Sequence, residues 1–271
     1  MKRFSFFILL LVIVYPLATF AQEASHAFRF ALITDMHLKQ NDPKNTETLR
    51  EAVKDINTEK DLSFVLVAGD IADKGDRPTL LTAKKLFDQL DVPYYVVPGN
   101  HDTRYCRTDT TTFDSVFGYH HFAFTFQHVR FIGFNTGQGN GVNTGWVSDG
   151  EMRWIKSQLE KTDKTQPLFF VTHFPLNPSD VGNRDVFLRM VKPYNVEAIL
   201  GGHYHRNVFF SEDGIPDVLT RTLQSNAVLP AGYSRIEIDH AIRFYEKKVN
   251  DNLPFLWLTL PFHAVFVQPV N

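Results

Sequence analysis

Cysteine is almost absent: Cys106 is the only one in 271 residues. An intramolecular disulfide is therefore excluded, and so is a zinc site made of several thiolates within one chain. Any metal must be held by His, Asp, Glu or Asn. An excess of one charge is lacking too. With 28 basic against 30 acidic residues, the formal net charge is −2, and no global positive field draws the chain to nucleic acid or anionic lipid. Internal repeats and low-complexity linkers are missing. What is present, 44% hydrophobic, 21% charged and 14% aromatic residues, is the composition of a folded domain and excludes disorder and collagen-like structure. The length suits one large α/β domain or two small ones with a sizeable core.

The one long apolar run lies at the start. Lys2 and Arg3 precede an apolar stretch over 4–15, then Pro16, then small residues ending at Ala21 before Gln22. These are the three regions of a secretory signal peptide, which predicts cleavage after residues 1–21 and a mature start at Gln22. The rival reading is an uncleaved anchor, but the run is shorter than the roughly 20 residues of a membrane span. No Cys follows the run to suggest a lipoprotein. Cleavage takes the balance to 26 basic against 30 acidic residues, a mildly acidic, exported chain, periplasmic or secreted, with no stable membrane span. At the other end, residues 253–271 form an apolar tail broken by Pro254 and Pro261. The tail cannot be a spanning helix. It is expected to pack on the domain (22–252) as extended edge structure, the alternative being a partner or membrane contact.

Between these ends, strand and helix patterns alternate. Residues 28–34 read as a buried strand, and Leu49, Ala52, Val53 and Ile56 then recur at helical spacing. Residues 64–68 are a second strand. Leu80, Ala83, Phe87 and Leu90 mark a helix entered through Pro78, and 94–97 a third short strand. Such units imply right-handed crossovers and an α/β fold with a mostly parallel core sheet covered by helices. Residues 123–127 and 129–135 look like paired strands, and the Gly- and Asn-rich stretch 137–145 like a loop bordering the site. Ser148 and Glu151 form a capping-box pattern, with Met152, Ile155 and Leu159 inward; 168–172 and 198–201 read as strands and 183–191 as a helix. From Val208 onward the pattern is antiparallel, with a hairpin over 234–239 and 241–248.

Five predicted strands share one feature: metal-capable side chains stand at the carboxyl end. They are Asp35 and His37; Asp70 and Asp73; Asn100, His101 and Asp102; His173; and His203 and His205. Ligands of open parallel sheets bind at those ends, so the five segments are expected to converge on one crevice. The mixed N/O donor set, holding five of the eleven histidines, suits Mn, Fe or Zn better than the oxygen-preferring Mg.

In this order the segments resemble the motif set of the calcineurin-like metallophosphoesterases: DxH, GDxxD, GNHD, a lone His and GHxH, all present between Asp35 and His205. The resemblance implies a four-layer α-β-β-α sandwich and two divalent metal ions. Asp35, His37 and His205 would ligate the first ion, Asn100, His173 and His203 the second, and Asp70 would bridge them. Two cations about 3.5–4 Å apart need such a shared anion. A hydroxide bridging the ions would attack phosphorus in line, in a small-molecule phosphate ester. His101 would act beyond the metals as phosphate donor or as acid to the leaving oxygen, oriented by Asp73. Asp102 would organise the turn, and Gly69, Gly99 and Gly202 would meet backbone needs.

His37 and Asp73 argue against a purple acid phosphatase, GNHD in place of GNRD against a UDP-diacylglucosamine hydrolase, and the length against a two-domain periplasmic nucleotidase. The implied activity is a phosphodiesterase of the cyclic-nucleotide and glycerophosphodiester group. The alternatives are a phosphomonoesterase, or a metal-bound scaffold. His120, His121 and His128 read as solvated loop histidines, with substrate contact as the alternative; Lys74 as solvated; Tyr204 as facing the cleft rim or core; and Cys106 as a buried small residue.

Overall fold

The computed structural model describes residues 27–103, 110–137, 144–224 and 230–263. The predicted signal peptide, Cys106 and the end of the apolar tail lie outside them. The described elements run β1 (Phe28–Ile33), α1 (Pro43–Thr58), β2 (Leu62–Ala68), α2 (Arg77–Phe87), β3 (Tyr94–Val97), α3 (Asn100–Thr103), α4 (Thr111–Phe117), β4 (Phe122–Phe126), β5 (Val129–Gly133), α5 (Asp149–Leu159), β6 (Leu168–Val171), α6 (Arg184–Val191), β7 (Val196–Gly201), β8 (Val208–Glu212), β9 (Ile215–Leu219), β10 (Gly232–Ile238), β11 (Ala241–Lys248) and β12 (Phe255–Pro261). Among them, no helix is long and apolar enough to cross a membrane.

Two six-stranded sheets result, ordered β12-β11-β10-β1-β2-β3 and β4-β5-β6-β7-β9-β8. Parallel pairing occupies β1-β2-β3 in one sheet and β5-β6-β7-β9 in the other, while the remaining pairs are antiparallel. The expected antiparallel character after Val208 is thus only half the arrangement: β9 closes a hairpin with β8 yet also runs parallel to β7. The strand in the apolar tail, β12, pairs antiparallel with β11 at the sheet's rim.

Two-residue alternation explains the layering. On β1, Phe28, Phe30 and Leu32 join Phe64, Leu66 and Ala68 of β2 in a core shared with Phe131, Phe169 and Leu200 of the second sheet. The intervening Ala31, Ile33, Val65 and Val67 face outward onto Leu49, Val53, Leu80 and Phe87 of α1 and α2. On the far side, Ile132, Phe170 and Ile199 meet Ile155, Leu159 and Phe187 of α5 and α6. Three apolar interfaces therefore separate four layers, helices outside and sheets within. The central interface is phenylalanine-rich: Phe30 stacks on Phe64 at 5.0 Å and Phe131 on Phe169 at 5.3 Å, with Phe30 edge-on to Phe131 at 5.5 Å. Each such ring contributes about 1.5–3 kcal/mol by burial, which makes the sheet pair a rigid base for what stands at its strand ends.

Helix α4 forms against local propensity, since Thr111, Thr112 and Val116 are poor helix formers. Packing overrides propensity here: Phe113, Val116 and Phe117 are buried, and Gly118 ends the helix at φ 83°. Helix α5 shows half of the predicted capping box. Ser148 Oγ accepts the Glu151 N–H at 3.1 Å, but the Glu151 carboxylate goes to His120, His121 and the Asn135 N–H.

Candidate metal centre

The chain turns abruptly where each of the parallel strands β1, β2 and β7 ends. Asp35 (φ 54°), His37 (47°), Asp70 (52°), His203 (71°) and His205 (57°) all sit in the left-handed region, which costs a non-glycine residue about 1–3 kcal/mol. Neighbouring groups hold the strained turns. Asp35 N–H donates to Gly69 O at 3.1 Å and His37 N–H to Asp70 O at 3.0 Å. Thr222 Oγ1 donates to Asp35 O at 2.7 Å, and Asn45 Nδ2 to His37 O at 2.9 Å. Glycine is required where backbone approaches the carboxylates: a Cβ on Gly202 would lie 2.1 Å from Thr34 Oγ1 and 2.6 Å from Asp35 Oδ2, and one on Gly99 2.2 Å from Asp70 Oδ1.

Acceptor atoms converge as a result. Asp35 Oδ1 lies 3.2 Å from His205 Nε2 and 3.7 Å from His37 Nε2, and the two ring nitrogens are 3.1 Å apart. Asp70 Oδ2 lies 3.2 Å from His173 Nε2 and 3.6 Å from His37 Nε2. Donor atoms of Asp35, His37 and His205 fall within 4.8 Å of one another, as do those of Asp70, His173 and His203, and those of His37, Asp70 and His101. The three triplets overlap, the first two being linked through His37 and Asp70 of the third. Among the buried side-chain atoms without a hydrogen-bond partner are Asp35 Oδ1, Asn100 Oδ1 and His173 Nε2. Buried polar atoms are ordinarily paired, and each of these three is of a type that ligates a metal once any proton is released. The donor set fits divalent cations.

Tautomers and charge agree with that fit. His173 Nδ1–H donates to Ala68 O at 2.7 Å, which leaves Nε2 to face Asp70. Burial alone would lower His173, but the Asp70 and Asp35 carboxylates raise it to about 9. Burial likewise opposes ionisation of Asp35, yet the His205 and His37 imidazoles beside its Oδ1 hold it below the usual carboxylate range. His203 falls to about 4 through burial and the neighbouring His173 charge. In the metal-free protein, protons on imidazole thus balance the carboxylates.

His101, in α3, is the outer member of the His37–Asp70 triplet. Its backbone N–H donates to Asp70 Oδ1 at 2.9 Å, and its Nδ1 bonds the Asp73 carbonyl at 2.8 Å. The expected orientation by the Asp73 carboxylate is corrected in detail: that carboxylate is 4.0 Å from His101 Nδ1 and 3.7 Å from His37 Nδ1, and the backbone oxygen makes the bond. Asp102 takes the N–H groups of Ile71, Ala72 and Gly99; burial, with the Asp70 charge, lifts it to about 6.

Several contributors carry no sequence signal. Thr34 Oγ1 donates to Asp35 Oδ2 at 2.9 Å and also lies 2.9 Å from Ala68 O. Asp180 lies 3.7 Å from His203 Nε2 and accepts the Tyr204 hydroxyl at 2.6 Å, while Asn177 Nδ2 donates to that hydroxyl at 3.3 Å. Tyr204 is therefore a half-buried residue tied to the 177–183 loop. Lys74 and His128 are exposed. The solvated reading fails for His120 and His121, which are part-buried against Glu151.

The sequence profile of the calcineurin-like phosphoesterases matches residues 28–207, so the chain belongs to that family of phosphoric ester hydrolases. It is 29% identical over 155 residues to a probable glycerophosphodiester phosphodiesterase GpdQ of Arcobacter nitrofigilis, covering 53% of this chain and 56% of that protein. It is 26% identical over 220 residues to a probable cyclic nucleotide phosphodiesterase, RPA0124, of Rhodopseudomonas palustris, covering 72% and 78%. The chain thus spans little more than half the length of the first relative. Among solved structures, purple acid phosphatase PPD1 of yellow lupin superposes with a TM-score of 0.61 at 14% identity, over 88% of this chain and 54% of that one. At such identity the likeness concerns the fold.

Proposed function

We propose that the protein is a dinuclear-metal phosphodiesterase acting on a small-molecule phosphate ester. The observation that carries this reading is the overlap of three donor triplets that share His37 and Asp70, with Asp35 Oδ1, Asn100 Oδ1 and His173 Nε2 buried and without a hydrogen-bond partner. Asp35, His37 and His205 would hold one ion, Asn100, His173 and His203 the other, and Asp70 both; Mn, Fe or Zn suits these donors. When bound, two such ions polarise phosphoryl oxygens and bring the pKa of water toward neutrality. The protein's own part is positional. Thr34 and the His203 N–H fix Asp35 Oδ2 at 2.9 and 3.0 Å, so that Oδ1 is left for the ion. The Asp73 carbonyl takes the His101 Nδ1–H, which turns Nε2 outward; with the ring as imidazolium, Nε2–H would donate to a phosphoryl or leaving oxygen.

Preference for a diester rests on the names of the two relatives. The test is hydrolysis of bis(p-nitrophenyl) phosphate and p-nitrophenyl phosphate with Mn, Zn, Fe or no added metal, beside His101→Ala. Metal-dependent diester hydrolysis that collapses in the variant is expected. A strong preference for the monoester would replace phosphodiesterase by phosphomonoesterase. Metal binding without turnover of any ester would favour a scaffold. Export to a periplasm or the medium is proposed from residues 1–21, and N-terminal sequencing of the protein from fractionated cells should find Gln22 first.

A further inference from the structure

We propose that His120 Nε2, His121 Nδ1 and Glu151 Oε1 form a separate binding site for one zinc-type divalent cation, which would fasten the start of β4 to the first turn of α5. Glu151 Oε1 lies 3.1 Å from His120 Nε2 and 3.0 Å from His121 Nδ1, and all three donors are within 4.8 Å of one another. Metal–ligand bonds of about 2.0–2.1 Å in a tetrahedron place neighbouring donors roughly 3.3 Å apart. The two edges that meet at Glu151, 3.1 and 3.0 Å, are close to that length. Two histidines and one carboxylate make a known zinc donor set, with the fourth position left to water.

The groups behind the donors are built for this use. Asp114 lies 2.9 and 3.0 Å from His120 Nδ1 and is itself held by Thr110 Oγ1 at 2.6 Å. A carboxylate on the far nitrogen fixes ring angle and tautomer and makes Nε2 the better donor. Trp154 stacks on the His121 ring at 3.8 Å and 14°. The second Glu151 oxygen accepts the Asn135 N–H at 3.3 Å, and the residue is only 3% exposed. Glu151 also leaves its capping-box partner to point here. The two histidines are part-exposed, so an ion and its water have a way in. A proton shared between His120 and Glu151 is the competing occupant.

The test is the zinc content of the full chain after equilibrium dialysis, for the native protein and for His120→Gln and His121→Gln. Each variant should hold one equivalent less, with native far-ultraviolet circular dichroism and unchanged ester hydrolysis. Because the readout is a difference, it stands whether the strand-end centre binds two ions, one or none. Zinc-edge anomalous diffraction from native crystals soaked in zinc needs no variant and should show a peak between the three donors. Equal zinc content in native and variant proteins, or no peak there, overturns the proposal in favour of the proton-bridged cluster.

Discussion

Two buried charge clusters in this molecule follow opposite rules. Beneath β10 and β11, Lys247 Nζ donates to both Asp55 oxygens at 3.0 and 2.8 Å and to Asp251 O at 2.7 Å, while Tyr233 OH donates to Asp55 Oδ2 at 2.9 Å. Burial and the Asp55 charge hold the Tyr233 phenol far above its ordinary range, fixed as a donor. Here the protein satisfies its own charges. At the strand ends, imidazoles crowd two buried carboxylates, three buried side-chain polar atoms lack a hydrogen-bond partner, and five residues hold left-handed backbone. A buried cluster that is internally complete joins elements together, whereas one left incomplete keeps its free energy for a ligand.

The comparison breaks most visibly at Asp55. Asp55→Ala strands a buried ammonium and should destabilise the fold by about 3–5 kcal/mol, measured by urea unfolding, with activity per folded molecule unchanged. Asp70→Asn should do the reverse. Asn tolerates left-handed backbone, so metal-free stability should hold while diester kcat/KM drops by at least about 10²–10³-fold, the scale of losing a group that acts in the transition state. Equal stability losses in the two variants would erase the distinction. Thr34→Val frees Asp35 Oδ2 from a hydrogen bond and should weaken metal binding about 10–100-fold, read by dialysis.

A last case is Asp217, buried between the two behaviours: one oxygen accepts the Leu176 N–H at 2.7 Å and the other has no partner. Burial, with the charges of Glu212 and Asp180, raises it to about 8. Its folded pKa lies above its unfolded value of about 3.9, so the folded state binds the extra proton and stability declines as pH rises from about 4 to 8. Asp217→Asn should flatten that decline in melting curves taken across the range.

Legibility divided along the same line. The strands could be read from two-residue alternation, because Phe30 and Phe64 face one layer and Ala31 and Val65 the other. The chemistry could be read because donors follow each strand directly in the chain. Helix α4 could not, since its propensities oppose it and only the pocket for Phe113 and Phe117 explains it. Nor could Asp180 or the backbone partner of His101, whose roles arise between residues 24 and 28 apart in the chain.

The sequence by itself determined which side chains are available and on which strand ends they stand, because these are local properties of a chain with a two-residue period. It also determined what cannot be there, a disulfide or a thiolate metal site. Only the tertiary structure decided which donors are left unpaired and which are neutralised. Pairing depends on distances between segments brought together by the two stacked sheets, and the same carboxylate is a latch at Asp55, a ligand-ready group at Asp35, and at Glu151 a helix residue turned toward two histidines.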